Sequence, residues 1–182
     1  MATKNHNLSD YNAASMPDAS DMAFGIVVSD WNAEITSRLL RGCVNTLVRN
    51  GVQRDNILVH HVPGAFELTY AARLLADHAD VDAVIGLGCI IRGETPHFDF
   101  IAQGVSQGFA RLNSLGEIPY VFGVLTDNNI EQSRARSGGA LGNKGDEAAV
   151  TAIRMVAFSD EVASYDAAES IVSDSADDNI DL

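Results

Sequence analysis

Between about residues 22 and 158 the chain alternates short apolar runs with longer stretches whose apolar residues recur every three or four positions. A run of four to eight apolar residues suits a strand, whereas a spacing of three to four lays one stripe of a helix against a core. Parallel strands need a crossover connection, and a helix supplies it, so alternation of the two patterns is what βα units produce. The pattern predicts an α/β fold built on a parallel sheet.

Read in order, Phe24 to Ser29 is a first strand. From Ala33 to Arg49, Ile35, Leu39, Cys43, Leu47 and Val48 form a core-facing stripe that Asn50 and Gly51 can terminate. Ile57 to Val62 is a second strand, stopped by Pro63 and Gly64, and Phe66 to Ala79 a helix with Leu68, Ala71, Ala72 and Leu75 inward. Ala83 to Cys89 is a third strand, His97 to Leu115 a helix, and Tyr120 to Thr126 a fourth strand. A short helix near Ile130 to Ser137 and a longer one from about Asp146 to Phe158 close the pattern. With right-handed crossovers, four such strands give a three-layer α/β/α sandwich of flavodoxin-like type with a four-stranded parallel sheet.

Residues 1–21 read as a polar N-terminal extension, residues 22–158 as one domain, and residues 159–182 as an acidic tail. That tail carries Asp160, Glu161, Asp166, Glu169, Asp174, Asp177, Asp178 and Asp181 and no basic residue, so it repels itself and reads as disordered or loosely attached. A formal net charge of −13 argues against a nucleic-acid partner, because backbone phosphates are held by clustered Lys and Arg. No stretch approaches the ~18 apolar residues of a membrane span, and the start lacks the basic and apolar blocks of a signal peptide. Cys43 and Cys89 fit neither a disulfide framework nor a zinc site. The expectation is a soluble, cytoplasmic protein with two buried thiols and no membrane partner.

In a sheet of this kind ligands bind beyond the carboxyl ends of the strands, which singles out four loops. Trp31, the only tryptophan, either offers a flat face to a planar heterocycle or anchors its loop. Glu67 opens a helix, where a carboxylate complements the positive helix end or accepts hydrogen bonds from a polyol. Gly93, Glu94 and Thr95 precede a helix whose first N–H groups suit a small anion. Imidazole titrates near neutrality, and His97 at the rim, with Asp99 two residues on, suits proton transfer; otherwise it is a surface or capping histidine. Arg136 and Lys144, two of only 12 basic residues, suit a phosphate dianion or are solvated surface charge. His60 and His61 point to opposite faces of a strand and cannot share a metal ion. In GLGCIIRG the third glycine falls at the wrong spacing for a dinucleotide fingerprint, and no nicotinamide or flavin site is expected.

Taken jointly, SDWNAEIT, PGAFE, GCIIRGETPHFD, FGVLTDNNIEQ and the segment from Arg136 through GNKG resemble the lumazine synthases, over roughly Phe24 to Phe158. The resemblance implies a transferase of riboflavin biosynthesis, with no metal or redox cofactor. Its substrates would be 5-amino-6-ribitylaminouracil and 3,4-dihydroxy-2-butanone 4-phosphate, its products 6,7-dimethyl-8-ribityllumazine, phosphate and water. It further implies that Trp31 stacks on the pyrimidine, with Asn32, Ala65, Phe66 and Glu67 around the ribityl chain. Backbone at Ile90 and Ile91 would meet the ring's polar edge, Glu94 and Thr95 would bind phosphate with Arg136, and His97 would shuttle protons. Lys144 matches a basic position close to that site, and Phe122 an aromatic that a neighbouring subunit contributes. Two departures stand out: Pro96 directly before His97, and Glu94 where many relatives carry a small residue, which leaves its N–H and not its carboxylate as the donor. The family forms homopentamers with active sites between subunits. The short link from Ser137 to Gly145 is similar to that of relatives that build an icosahedral 60-mer.

Overall fold

Four strands, β1 (Phe24–Ser29), β2 (Ile57–Val62), β3 (Ala83–Ile91) and β4 (Tyr120–Asp127), pair in parallel in the order β2-β1-β3-β4. The computed structural model describes residues 11–115 and 117–177, with backbone alone at 13 and over 166–177. Helices α1 (Ala33–Arg49), α2 (Leu68–His78) and α3 (His97–Ser114) make the crossovers, and α4 (Ile130–Arg136) and α5 (Lys144–Asp177) come after β4. β1 and β3 lie at the centre and are buried on both faces, which is why they read as unbroken apolar runs.

The sheet separates two cores. On one face Phe24, Ile26 and Val28 of β1 and Ile85, Leu87 and Cys89 of β3 meet the α1 stripe of Ile35, Leu39, Cys43 and Leu47, together with Ala149, Ile153 and Val156 of α5. On the other, Val27, Val84 and Val124 meet Leu68 and Ala72 of α2 and Val105, Phe109 and Leu112 of α3. This is the α/β/α sandwich of flavodoxin-like type that the alternation predicts. Phe109 packs so closely on the sheet that a Cβ at Gly86 would strike its ring, and the same ring meets Phe122 edge-on at 5.6 Å. Truncating Phe109 to Ala would leave a cavity costing about 3–5 kcal/mol.

Helix α1 ends where expected, with the Asn50 N–H bonded back to the last turn and Gly51 at φ 103. Two features differ from the sequence reading. The glycine-rich link folds into a hairpin of β5 (Ser137–Gly139) and β6 (Gly142–Asn143), turning on Gly138 and Gly142 at positive φ. Helix α5 starts two residues before Asp146 and continues past Phe158 to Asp177. Val156 is its last buried residue through Tyr165, so residues 157–165 carry no core-facing stripe. Local terms sustain it: alanines of high helix propensity and an i,i+4 bond from the Tyr165 hydroxyl to Glu161. Residues 1–10 of the N-terminal extension and 178–182 of the tail lie outside the described residues. No helix among the described residues is long and apolar enough to cross a membrane.

Among the described residues no further strand pairs with either edge of the sheet. Leu58 and Val59 of β2 and Phe122 of β4 are exposed, as are Phe66 just before α2, Tyr70 of α2 and Phe100 of α3.

Candidate active site

Beyond the carboxyl ends of β1, β2 and β3 three turns enclose a cavity of about 470 Å³. Trp31 forms one wall, the turn Gly64 to Glu67 another, and Ile90, Ile91, Gly93, Thr95 and His97 the third. Backbone bonds from Asp30 N to Val62 O (2.8 Å) and Trp31 N to Pro63 O (3.1 Å) carry the β1–β2 pairing into the loops and bring Trp31 beside the second turn. Asn32 then reverses the chain at φ 62, a conformation Asn tolerates better than most residues, and its Nδ2 donates to the Cys89 carbonyl at 2.9 Å. An anchoring tryptophan would be buried, but Trp31 is 72% exposed, so its ring is a free face.

Glu67 closes a short 3₁₀ turn, Ala65–Glu67, and occupies the N-cap position of α2 without a side-chain cap bond. Its carboxylate therefore remains available to the cavity. The loop into α3 is held by Arg92, whose Nη1 and Nη2 donate to Asp99 at 3.1 and 2.8 Å, whose Nε donates to Asn128 at 3.2 Å, and whose guanidinium lies 4.2 Å over the Phe98 ring. That hydrogen bonding holds the Asp99 carboxyl below the usual carboxylate range. Asp99 thus serves Arg92 and not His97, contrary to what their spacing suggests. Burial raises the pKa of the Cys89 thiol, which makes it a neutral lining group and not a nucleophile.

A second, larger groove of about 820 Å³ runs along the open edge of β4, between α3 and α5. Phe122, Arg136 and Lys144 line it. Both cations are backed by buried carboxylates: Arg136 Nη1 lies 3.6 Å from Asp127 Oδ1, and Lys144 Nζ donates to Glu147 at 2.6 and 2.7 Å.

Of the residues singled out from sequence, Trp31, Ala65, Phe66, Glu67, Ile90, Ile91, Thr95 and His97 share the first cavity. Asn32 and Glu94 do not line it, the former because its amide is committed to Cys89. Phe122, Arg136 and Lys144 lie in the second groove, so one chain does not bring Arg136 to Thr95. The reason is topological: β4 is the last strand of the sheet, and the chain beyond it lines that outer edge instead of the ends of β1 to β3. Sequence reading passed over Arg92, Asp127, Ser133 and Glu147. Strand parity through Val121, Gly123 and Leu125 could have flagged Asp127 as an inward carboxylate, and the i,i+3 spacing Glu147 as the partner of Lys144.

Known proteins share the sequence of this chain over most of its length. The family model for 6,7-dimethyl-8-ribityllumazine synthase matches residues 21–160. A protein of that name from Parabacteroides distasonis is 56% identical over 159 residues, covering 87% of this chain and 99% of the relative. One from Phocaeicola vulgatus is 51% identical over 162 residues, covering 89% and 96%, and one from Porphyromonas gingivalis 55% over 155 residues, covering 85% and 96%. The chain belongs to the 6,7-dimethyl-8-ribityllumazine synthase family.

Proposed function

We propose that the cavity beside Trp31 and the groove beside Arg136 are the two halves of one active site, closed between adjacent copies of the chain. Each half is chemically incomplete. The cavity offers an aromatic face, a carboxylate, a hydroxyl and an imidazole, and among the described residues no Lys or Arg lines it. The groove offers two cations. The exposed apolar residues along both sheet edges and across α2 and α3 support a homo-oligomer, because a monomer rarely leaves such surface uncovered. A homopentamer is the assembly this reading favours, with an icosahedral 60-mer suggested by the shortness of the β5–β6 hairpin. Residues 22–158 form the catalytic domain in this account, in a cytoplasmic enzyme, with 1–21 and 159–182 as appendages.

The single observation that carries the assignment of roles is that Trp31, Phe66, Glu67, Thr95 and His97 line one cavity. The pyrimidine of 5-amino-6-ribitylaminouracil stacks on Trp31, its polar edge meets backbone at Ile90 and Ile91, and its ribityl hydroxyls reach Glu67 beside Phe66 and Ala65. The phosphate of 3,4-dihydroxy-2-butanone 4-phosphate lies at Thr95 and the Glu94 N–H, at the start of α3, and meets Arg136 and Lys144 from the neighbouring copy, with Phe122 beside them.

With both substrates so placed, the 5-amino nitrogen attacks the ketone and water leaves to give an imine. Loss of a proton and of phosphate forms an enol, which becomes a ketone, and the ribitylamino nitrogen closes the ring with loss of a second water. Each step moves a proton, which His97 at the cavity rim can take and return, while the bound pair needs no further encounter. The chain is a transferase of riboflavin biosynthesis that makes 6,7-dimethyl-8-ribityllumazine.

A lumazine- or flavin-binding carrier on the same fold would use Trp31 and Glu67 but need neither His97 nor Arg136. A phosphate-release assay with both substrates, beside a native mass measurement, separates the two. Release that requires both substrates is the expected outcome; tight riboflavin binding without release would favour the carrier.

A further inference from the structure

β4 ends in a carboxylate that the fold hides. Strand parity puts Asp127 on the same face as Val121 and Leu125, toward the core of α1 and α5, and it is only 6% exposed. A buried charge must be paired, and Asp127 has two partners. Its Oδ2 accepts from the Ser133 hydroxyl at 2.8 Å, and its Oδ1 lies 3.6 Å from Arg136 Nη1. Ser133 Oγ in turn accepts from Cys89 Sγ at 3.4 Å. Arg136 Nη1 also donates to the Gln132 carbonyl at 3.1 Å. Both internal contacts therefore fall on one nitrogen of the guanidinium. Among the described residues Nε and Nη2 of Arg136 have no partner, and the side chain lines the groove.

We propose that Asp127 is the positioning residue for Arg136. It pins one end of the guanidinium from below, with Ser133 fixing the carboxylate, and leaves the other donors to a phosphate ester. This rests on the reading of Arg136 as a phosphate ligand. An arginine with a four-bond side chain loses much rotamer freedom when it binds an anion, and a carboxylate that restrains it beforehand removes part of that loss. Asp127 borders the groove as well, but its carboxylate is almost wholly buried and each of its oxygens has a partner, so it restrains the cation while presenting little of its own charge there.

The test uses the assembled protein and steady-state kinetics with both substrates. Asp127→Asn keeps the size of the side chain and can still accept from Ser133, but has no charge. It is expected to raise KM for the sugar phosphate about 5- to 10-fold, with kcat and the pyrimidine KM within about 2-fold. In an Arg136→Ala background the same change is expected to add nothing further, because the two residues act as one unit. An unchanged or lowered sugar-phosphate KM overturns the proposal, and so does an equal added loss in the Arg136→Ala background, which would mark a purely structural role. Should Asp127→Asn not fold, Ser133→Ala carries the same expectation at about 2- to 3-fold, and indifference there is equally fatal. Failure of the underlying reading shows separately, as an Arg136→Ala protein whose sugar-phosphate KM is that of the wild type.

Discussion

The cavity at the ends of β1 to β3 and the groove along β4 differ in how their polar groups are held. In the cavity, the side chains of Trp31 and Glu67 stand exposed, with no hydrogen-bond partner for either among the described residues. In the groove each cation already has a carboxylate behind it, Asp127 for Arg136 and Glu147 for Lys144. The contrast comes from position. The cavity lies over loops that solvent reaches, where an unpaired polar group costs little, while the groove's carboxylates, Asp127 at the end of β4 and Glu147 on α5, are buried, where an unpaired charge costs several kcal/mol. A surface of the first kind is shaped by what lies against it; one of the second is set before anything binds.

Four measurements would break or sharpen that contrast. His97→Ala should lower kcat about 100-fold after the uncatalysed condensation is subtracted, with little change in either KM. An unchanged kcat would reduce the cavity to a binding surface. Arg136→Ala should raise the sugar-phosphate KM about 10- to 100-fold through loss of a charge-assisted hydrogen bond, and leave the pyrimidine KM within about 2-fold. A parallel rise in both would mean that the halves do not divide the substrates as the geometry suggests.

Trp31→Ala should raise the pyrimidine KM about 10-fold, since aromatic stacking on a base contributes about 1–3 kcal/mol. Thermal unfolding should place its Tm beside that of the wild type, because a ring 72% exposed in one chain does little to hold that chain together. The smallest effect concerns the Arg92–Asp99 link, whose hydrogen bond depresses the Asp99 pKa in the folded chain. A depressed carboxylate stabilises above its unfolded pKa, and that contribution is lost as pH falls through the folded value. Protection factors of amides in the first turn of α3, taken relative to the intrinsic exchange rate at each pH, should therefore fall below the ordinary carboxylate range. In Asp99→Asn those protection factors should be low at every pH, and wild-type protection that stays flat in acid would remove the link from the picture.

Much of this was legible from residue spacing. Among the described residues the apolar periods marked β1 to β4 and α1 to α5, and the rule that ligands gather at strand ends pointed to Trp31, Glu67, Thr95 and His97. Spacing does not encode which side chain a neighbour in space has already claimed. Asp99 lies two residues from His97 in sequence but belongs to Arg92, and Asn32 sits beside Trp31 but spends its amide on Cys89. The division between cavity and groove was hidden for a related reason, since the order of strands across a sheet is a property of the whole fold. In α5 a composition argument met a local one: acidic residues discourage burial, yet alanine and an i,i+4 bond accompany a helix that continues past its last core residue, Val156, with none buried from Ala157 to Tyr165.

Asn32 meets two demands at once, a left-handed backbone and a donor aimed at the Cys89 carbonyl. Glycine satisfies the first and lacks the donor; aspartate tolerates the backbone but only accepts; glutamine has the donor but strains the backbone. None of these three meets both, so a library that randomises the loop around Trp31 should find its neighbours permissive and this position strongly biased to asparagine. Where evolution or design reshapes the loop, it must do so around that fixed hinge point.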